Sequence, residues 1–580
     1  MSNSTLGILK KSIREYKRPA LLTPLFMIGE VAMEVAIPSL MAKVIDRGVM
    51  QGDMGYLTRI SIVLIGAAML SLFFGWMGGV TAAKASTGFA KNIRHDLFHR
   101  LQDFSFRNID AFSQSSLITR MTTDVQNVQN AFQMIIRICF RAPIMLIFAL
   151  LMVVRNGGSL ALVFAVSIPI LAIGLFFVLR QVYPKMTSAF RSYDKLNNVV
   201  QENLTGIRTV KAYVREKDEE KRFSAANDQI HDNFVAGQKI LAWASPMMSG
   251  TTYICILVLS WLGAHSITSG TMTTGQLMSV ISYTMQILSS LMMISMIVVM
   301  LAISRASINR IVQVLSTETD MTINENGKQK LDDGSIRFDH VDFSYDGKKE
   351  NLCLKDINLE IKSGETIGIL GNTGSGKSTL VSLIARLYDV TGGSVQVGGT
   401  DVRKYDLHAL RSDVSMVLQK NLLFTGTVAE NIRWGKGDAT DEEVRQACVI
   451  AAADEFVSPL PDGYQSKVEQ GGANFSGGQK QRLCIARAIV GKPKIVIFDD
   501  STSAVDTKTD RKIREALASY APETTKLIIA QRVSSVEDAD KIVIMGQGTI
   551  ADIGTHQELL GRNELYQSLY AAQNKGAKNA

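Results

Sequence analysis

Gly371-Asn372-Thr373-Gly374-Ser375-Gly376-Lys377-Ser378 is the stretch on which the reading of this 580-residue chain turns. It fits G-x-x-x-x-G-K-[ST], a loop whose glycines let successive backbone N–H groups wrap phosphates. Its lysine reaches the terminal phosphates and its serine hydroxyl takes Mg²⁺. The flanks agree with that reading. Thr366-Ile367-Gly368-Ile369-Leu370 reads as a strand before the loop, and Thr379-Leu380-Val381-Ser382-Leu383-Ile384 as a helix after it, so the phosphate would meet the positive end of a helix. About 120 residues further on, the apolar run Ile495-Val496-Ile497-Phe498 ends in Asp499 and Asp500, where a carboxylate can complete a metal site. Between the two lies Ser476-Gly477-Gly478-Gln479, followed by a good helical sequence from Lys480 to Arg487. A nucleoside triphosphate is the predicted ligand.

In this order and spacing, these residues resemble the nucleotide-binding domain of ABC transporters, and the similarity spans most of residues 331–565. The resemblance implies ATP and Mg²⁺ as cofactors. It assigns Tyr345 to stacking on adenine, Gln419 to the family's Q-loop beside the metal, Thr379 to the nucleotide site, and Ser503-Ala504-Val505-Asp506 to the D-loop. Asp499 would join the metal shell through water. Ser476-Gly477-Gly478-Gln479 corresponds to the signature that closes the nucleotide of a second chain in a head-to-tail dimer. Two positions depart from the pattern: where the family usually has glutamate after the metal aspartate stands Asp500, and where it has a switch histidine stands Gln531.

Composition sets the frame for the rest. Hydrophobic residues make up 46% of the chain, yet nearly all long apolar runs fall before residue 305, so the two halves differ in kind. The net charge of +8 comes with no compact Lys/Arg block interleaved with aromatics, which argues against nucleic acid as a partner. Basic loops on one side of a membrane give the same excess. The five cysteines are scattered, with no C-x-x-C pair, consistent with a reduced environment for the soluble half. Basic Lys10, Lys11, Arg14, Lys17 and Arg18 precede the first apolar stretch without a small-residue cleavage site, so that stretch reads as a retained span.

A helix needs roughly 20 apolar residues to cross the hydrocarbon of a bilayer. Six segments qualify: 20–42, 58–82, 134–155, 158–181, 243–266 and 275–301. Only Asn156-Gly157-Gly158 separates the third from the fourth, whereas long connections of about 50 and 60 residues follow the second and the fourth. Those connections hold most of the cations, Lys84, Lys91, Arg94, Arg100, Arg107 and Arg120 in one and Lys185, Arg191, Lys195, Arg208, Lys211 and Arg215 in the other. The positive-inside tendency puts both, and the N-terminus, in the cytoplasm. An even number of spans returns the chain to that side, where ATP is found. The expected location is the plasma membrane, crossed several times, with the ATPase half cytoplasmic.

The long connections read as helical extensions. Ile93, Leu97, Leu101 and Phe104 recur on one stripe, and the pattern breaks at Phe112–Ser116 and again near Leu204-Thr205-Gly206. In exporter-type ABC proteins such breaks correspond to coupling helices, and the resemblance implies that role here. Within the spans, Glu30 and Glu34 lie one turn apart, as do Arg137 and Arg141. The glutamates suit either a cation-attracting cavity wall or a pair held by a neighbouring helix. The arginines are expected to snorkel toward an edge. Met285, Met292, Met296 and Met300 fall on one face of the last span, suited to a polyspecific surface or to packing against lipid or a helix.

The sequence therefore predicts an α-helical six-span transmembrane domain over residues 1–315, a connector over 316–335 and an α/β phosphate-loop ATPase over 336–580. With one membrane half and one ATPase, the chain is expected to be half of a transporter. Asp500 is one methylene shorter than glutamate, and Gln531 can hydrogen-bond a γ-phosphate but cannot carry a proton to and fro. Both departures fall on hydrolysis and neither on binding, and the intact signature would serve a partner's site. This pattern is similar to the degenerate-site subunit of bacterial heterodimeric multidrug exporters, with an amphipathic drug, lipid or peptide-like molecule as cargo. Two rivals stand beside it: a homodimeric exporter hydrolysing through Asp500, and an ATP-gated membrane regulator or channel.

Overall fold

Apolar helices dominate the first half of the computed structural model, which describes residues 3–578 apart from 323, 325 and 501–505. The chain divides into two compact units, Met1–Gln102 with Ser113–Thr317, and Asp103–Phe112 with Glu318–Ala580. The ten residues Asp103–Phe112 thus belong to the second unit, although more than 200 residues separate them from the rest of it.

In the first unit, five helical stretches are long and apolar enough to cross a membrane: Arg14–Val49, Met54–Gln102, Gln114–Met186, Glu216–Thr268 and Thr274–Ile297. The sequence predicted six spans, and the difference lies at one turn. Gln114–Met186 is too long for a single crossing, and its helix Val125–Gly157 stops at Gly158, whose φ of +53° suits glycine. A 3₁₀ turn, Gly158–Ala161, leads into the helix Leu162–Thr205. Ala149 and Val153 before the turn share one buried cluster with Leu160 and Phe164 after it, so the chain doubles back and the stretch holds two spans. Of the stripe Ile93, Leu97, Leu101 and Phe104, Leu101 is partly buried and the other three are buried. The second break is real as well: Leu162–Thr205 ends before Gly206, and a short helix, Ile207–Ala212, follows.

One cluster of intramembrane charge is paired in this unit. Arg141 does not reach for an edge as expected. Its Nη2 donates to both carboxylate oxygens of Glu34, at 2.9 and 2.7 Å, and its Nε lies 3.7 Å from Glu30. The glutamates are held by a neighbouring helix, because leaving either uncompensated in apolar surroundings is costly. Met285, Met292 and Met296 are half-exposed or more, outside the unit's own core.

The second unit is built on three sheets. The strands are β1 (Ile336–Phe343), β2 (Leu354–Ile361), β3 (Thr366–Gly371), β4 (Gly392–Val397), β5 (Thr400–Asp401), β6 (Val414–Val417), β7 (Gly426–Thr427), β8 (Lys467–Val468), β9 (Ile495–Asp499), β10 (Thr525–Ile529), β11 (Lys541–Gly546) and β12 (Thr549–Gly554). The central sheet runs β12-β11-β3-β10-β9-β6; β11, β3, β10, β9 and β6 pair in parallel, and β12 is antiparallel at one edge. Strands covered on both faces read as unbroken Ile/Val/Leu runs, and every residue of β9 and β10 is buried. An antiparallel sheet, β2-β1-β4-β5, and a small β7-β8 pair complete the unit. In a parallel sheet the carboxyl ends of neighbouring strands converge on one edge, the usual place for a ligand. Here β3, β10 and β9 lie side by side and deliver the phosphate-binding loop, Gln531 and the Asp499–Asp500 pair to that edge.

Candidate functional site

Residues 371–376 turn from β3 into the helix Lys377–Ile384. Gly374 and Gly376 take φ of +82° and +96°, backbone shapes a side chain would strain, and an added Cβ at Gly376 would press on Leu354. Asn372 and Thr373 lie in the turn, and the Asn372 carbonyl accepts from the Ser375 N–H at 3.1 Å. The Lys377 ammonium folds back over the loop, donating to the carbonyls of Gly371 at 2.8 Å and Asn372 at 2.9 Å. Burial lowers its pKa below the ordinary lysine value, and the Asp499 and Asp500 carboxylates work against that shift.

Ser378 donates its hydroxyl to Asp499 Oδ1 at 2.8 Å, which brings together two residues 121 positions apart. Burial raises the Asp499 carboxyl above the usual range; the Ser378 hydrogen bond opposes the shift and the neighbouring Asp500 charge adds to it. Asp500 has φ of +48°, and its N–H bonds to the Ile529 carbonyl at 3.1 Å. Its carboxylate accepts from the Gln531 side-chain amide at 2.7 Å. Gln531 is itself held, since Gln573 donates to its carbonyl at 2.9 Å while accepting from the Val533 N–H at 2.8 Å.

Tyr345 sits beside the loop with its hydroxyl 2.9 Å from that of Thr379. Its ring is edge-on to Phe343 at 4.9 Å and to Tyr388 at 5.2 Å, and 45% of the residue remains exposed, leaving a face free for a flat ligand. Sequence reasoning missed Tyr388. Its hydroxyl donates to Asp110 at 2.6 Å and its ring lies 6.0 Å from Phe106. Burial and the Asp110 carboxylate push the Tyr388 phenol well above its ordinary pKa, so it stays a donor. Ser105 fixes the same segment by a hydrogen bond to Asp320, as Asn108 does to the Glu318 carbonyl. A continuous side-chain contact therefore runs from Asp110 through Tyr388 and Tyr345 to Thr379, the residue after Ser378. Nothing in the periodicity of residues 103–112 pointed to it.

Gln419 follows β6 and is exposed, and among the described residues no hydrogen bond ties it to Ser378 or Asp499. Ser476 caps the helix Gly477–Ile489: its hydroxyl accepts from the Gln479 N–H, and the Gln479 side chain accepts from the Ser476 N–H at 2.9 Å. Ser476 and Gly477 are exposed and Gly478 is partly so, which presents a helix N-terminus to an outside partner. Phe475 is buried beneath, 6.2 Å from Phe456. Asp506 caps the helix Thr507–Tyr520, while Ser503, Ala504 and Val505 lie outside the described residues.

These residues fit a nucleotide with its metal. The Ser375 side chain is buried, and its hydroxyl has no hydrogen-bond partner among the described residues, an orphan that a phosphate oxygen would satisfy. The hydroxyl and carboxylate of Ser378 and Asp499 are the hard oxygen donors that Mg²⁺ prefers.

Known proteins match both halves. Residues 21–292 match the ABC transporter transmembrane region and residues 354–503 the ABC transporter family. The chain is 37% identical to the uncharacterized ABC transporter ATP-binding protein YfiB of Bacillus subtilis, across 97% of each. It is 35% identical to the uncharacterized ABC transporter ATP-binding protein Rv1273c of Mycobacterium tuberculosis, across 99% of each. Its backbone is similar to that of a bacterial Atm1-family ABC exporter solved with ATP bound, at a TM-score of 0.82 and 24% identity over 96% of this chain and 98% of that one. That last likeness is one of fold.

Proposed function

Because the chain belongs to the ABC transporter family, with a membrane domain and an ATPase domain fused as in a half-transporter, we propose that it is the degenerate-site subunit of a heterodimeric exporter. It is a multi-pass membrane protein whose ATPase drives transport, and such transporters act as dimers. We assign the ATPase half and the N-terminus to the cytoplasmic face of the plasma membrane. The cargo is an amphipathic small molecule, drug, lipid or peptide-like, and the partner is a second ABC half-transporter.

The observation that carries this reading is the Gln531–Asp500 hydrogen bond. The two side chains that would otherwise position and deprotonate water engage each other instead. A neutral amide holds a carboxylate already shortened by one methylene, and neither group can relay a proton through the other. In the site as proposed, the loop amides and Lys377 hold the β- and γ-phosphates, Tyr345 stacks on adenine, and Ser378 and Gln419 bind Mg²⁺ with Asp499 in its shell. When bound, the metal neutralises charge on the transferring phosphate. ATP would be held long and cleaved slowly. The exposed Ser476-Gly477-Gly478-Gln479 cap would complete the partner's nucleotide, where turnover takes place.

The test is nucleotide occlusion in the purified heterodimer. One of the two sites should retain ATP through many turnovers, and cross-linking with 8-azido-ATP should place that nucleotide on Tyr345 of this chain. Rapid hydrolysis by this chain alone, through Asp500, would instead make it a homodimeric exporter.

A further inference from the structure

We infer that a groove formed by the helix Leu162–Thr205, the end of the helix Glu216–Leu241 and the start of the helix Ala244–Thr268, at the cytoplasmic membrane boundary, is a binding site for an anionic phospholipid. The inference rests on the orientation proposed above, which places Gln181 and Trp243 at the inner leaflet.

Two close approaches bound the groove. At its deep end Met247 packs on Gly174, where an added Cβ would collide with the methionine methyl. At its shallow end Met186 packs on Gly237, with Lys185 beside it. Between these points the helices stand apart and leave a cavity of about 430 Å³, within the size range of small-ligand sites. Phe177, Val178, Ile240 and Trp243 line its apolar length, and Gln181 and Lys239 its mouth.

The lining is graded along the membrane normal. The deep end is hydrocarbon and thioether, fit for an acyl chain. Trp243, in the lining, is 67% exposed, as expected of an aromatic at the headgroup boundary. Lys239 and Lys185 follow on the cytoplasmic side, both exposed. Lys239 makes no hydrogen bond or ion pair to any described residue, and no carboxylate is among the described lining residues. An apolar slot with an unmatched cation at its mouth is complementary to a lipid carrying a net-negative phosphate. Basic pockets between transmembrane helices on the cytoplasmic side hold such headgroups. A zwitterionic lipid would bring its own cation to the same mouth and gain less.

The experiment uses the full-length transporter in nanodiscs of phosphatidylcholine with or without phosphatidylglycerol, followed by native mass spectrometry of the lipid that survives detergent extraction. The wild-type protein should retain phosphatidylglycerol in preference to phosphatidylcholine. Lys239→Gln should weaken that retention roughly fivefold, the order expected for one juxtamembrane cation, and Lys239→Glu further. Ile240→Trp, which fills the slot while leaving both lysines, should displace the same lipid. Lys84→Glu, at the inner edge of the second span and outside the groove, should leave retention unchanged. Equal retention in wild type and both Lys239 variants, equal loss on Lys84→Glu, or phosphatidylcholine held as well as phosphatidylglycerol would each overturn the site. A partner subunit covering the groove would show as no retained lipid at all and would overturn it too. Lipid is scored without turnover, so failure of the heterodimeric export reading and failure of this site give different results.

Discussion

The Gln531 amide nitrogen stands 2.7 Å from the Asp500 carboxylate, so the two residues proposed to slow hydrolysis at this site are each other's hydrogen-bond partners. They form one unit, fixed from outside by Gln573, and a change in either alters what the other can do.

Repair of this site should therefore be non-additive. Asp500→Glu restores reach toward the attacking water, and Gln531→His restores a group that can hold γ-phosphate and carboxylate in register. Each alone should change little. Together they should raise single-turnover hydrolysis at this site by about tenfold or more, toward the 10²–10⁴-fold that a positioned acid–base group supplies. The measurement is made in the proposed heterodimer, with the catalytic glutamate expected of the partner silenced. If the double variant stays as slow as the parent, the defect lies outside these two residues.

The signature should matter more to overall turnover than Asp500. Ser476→Arg would place a long cation at the exposed helix cap and should lower steady-state ATPase by about 10²-fold or more, the scale of losing a preorganised phosphate-binding group. Asp500→Asn should leave most of that activity. The opposite ranking would mean that the competent site has been assigned to the wrong phosphate-binding loop.

Lys377→Ala removes a charge that burial has already made expensive to hold. ATP affinity at this site should fall by about ten- to a hundredfold, the loss expected for a charge-assisted contact. Equilibrium binding of a fluorescent ATP analogue, with the partner's loop disabled, would reveal it, and unchanged affinity would remove Lys377 from the site.

Arg141→Met should destabilise the membrane domain by roughly 3–5 kcal/mol, since it strands Glu30 and Glu34 in apolar surroundings. Glu30→Gln and Glu34→Gln added to that variant should recover most of the loss. Thermal unfolding in detergent reads both, and a stable Arg141→Met protein would show the cluster to be well hydrated.

Tyr388→Phe deletes one hydrogen bond, to Asp110, and spares the ring contacts with Tyr345 and Phe106. Loss of about 0.5–1.5 kcal/mol in the ATPase unit is expected. If the contact chain carries signal, cargo-stimulated ATPase should fall while basal ATPase holds. Equal stimulation in both proteins would reduce Tyr388 to a packing role.

Much of this architecture was legible in local sequence. Glycines that need left-handed backbone, an Ile/Val run ending in aspartate, and 20-residue apolar stretches each carry their own physical signature. What escaped was set by tertiary choice. Arg141 looked free to snorkel because its partners lie more than 100 residues away, on another helix. Residues 105–110 carry only a Ser105 cap and a one-turn helix as local signal, and their docking depends on Tyr388 and Asp320, which no periodicity connects to them. The Gly157–Gly158 turn was read correctly because a glycine pair between two apolar runs is itself a local signal.

The membership of Asp103–Phe112 in the second unit also bears on biogenesis. At roughly 5–20 residues per second, the ribosome finishes this decapeptide some tens of seconds before the last strand of the unit it will join. The first spans must enter the bilayer with that segment still unclaimed, its Phe106 not yet packed on Tyr388. An excised fragment starting at Glu318 would thus be a unit with a piece missing, its Tyr388 hydroxyl bereft of Asp110.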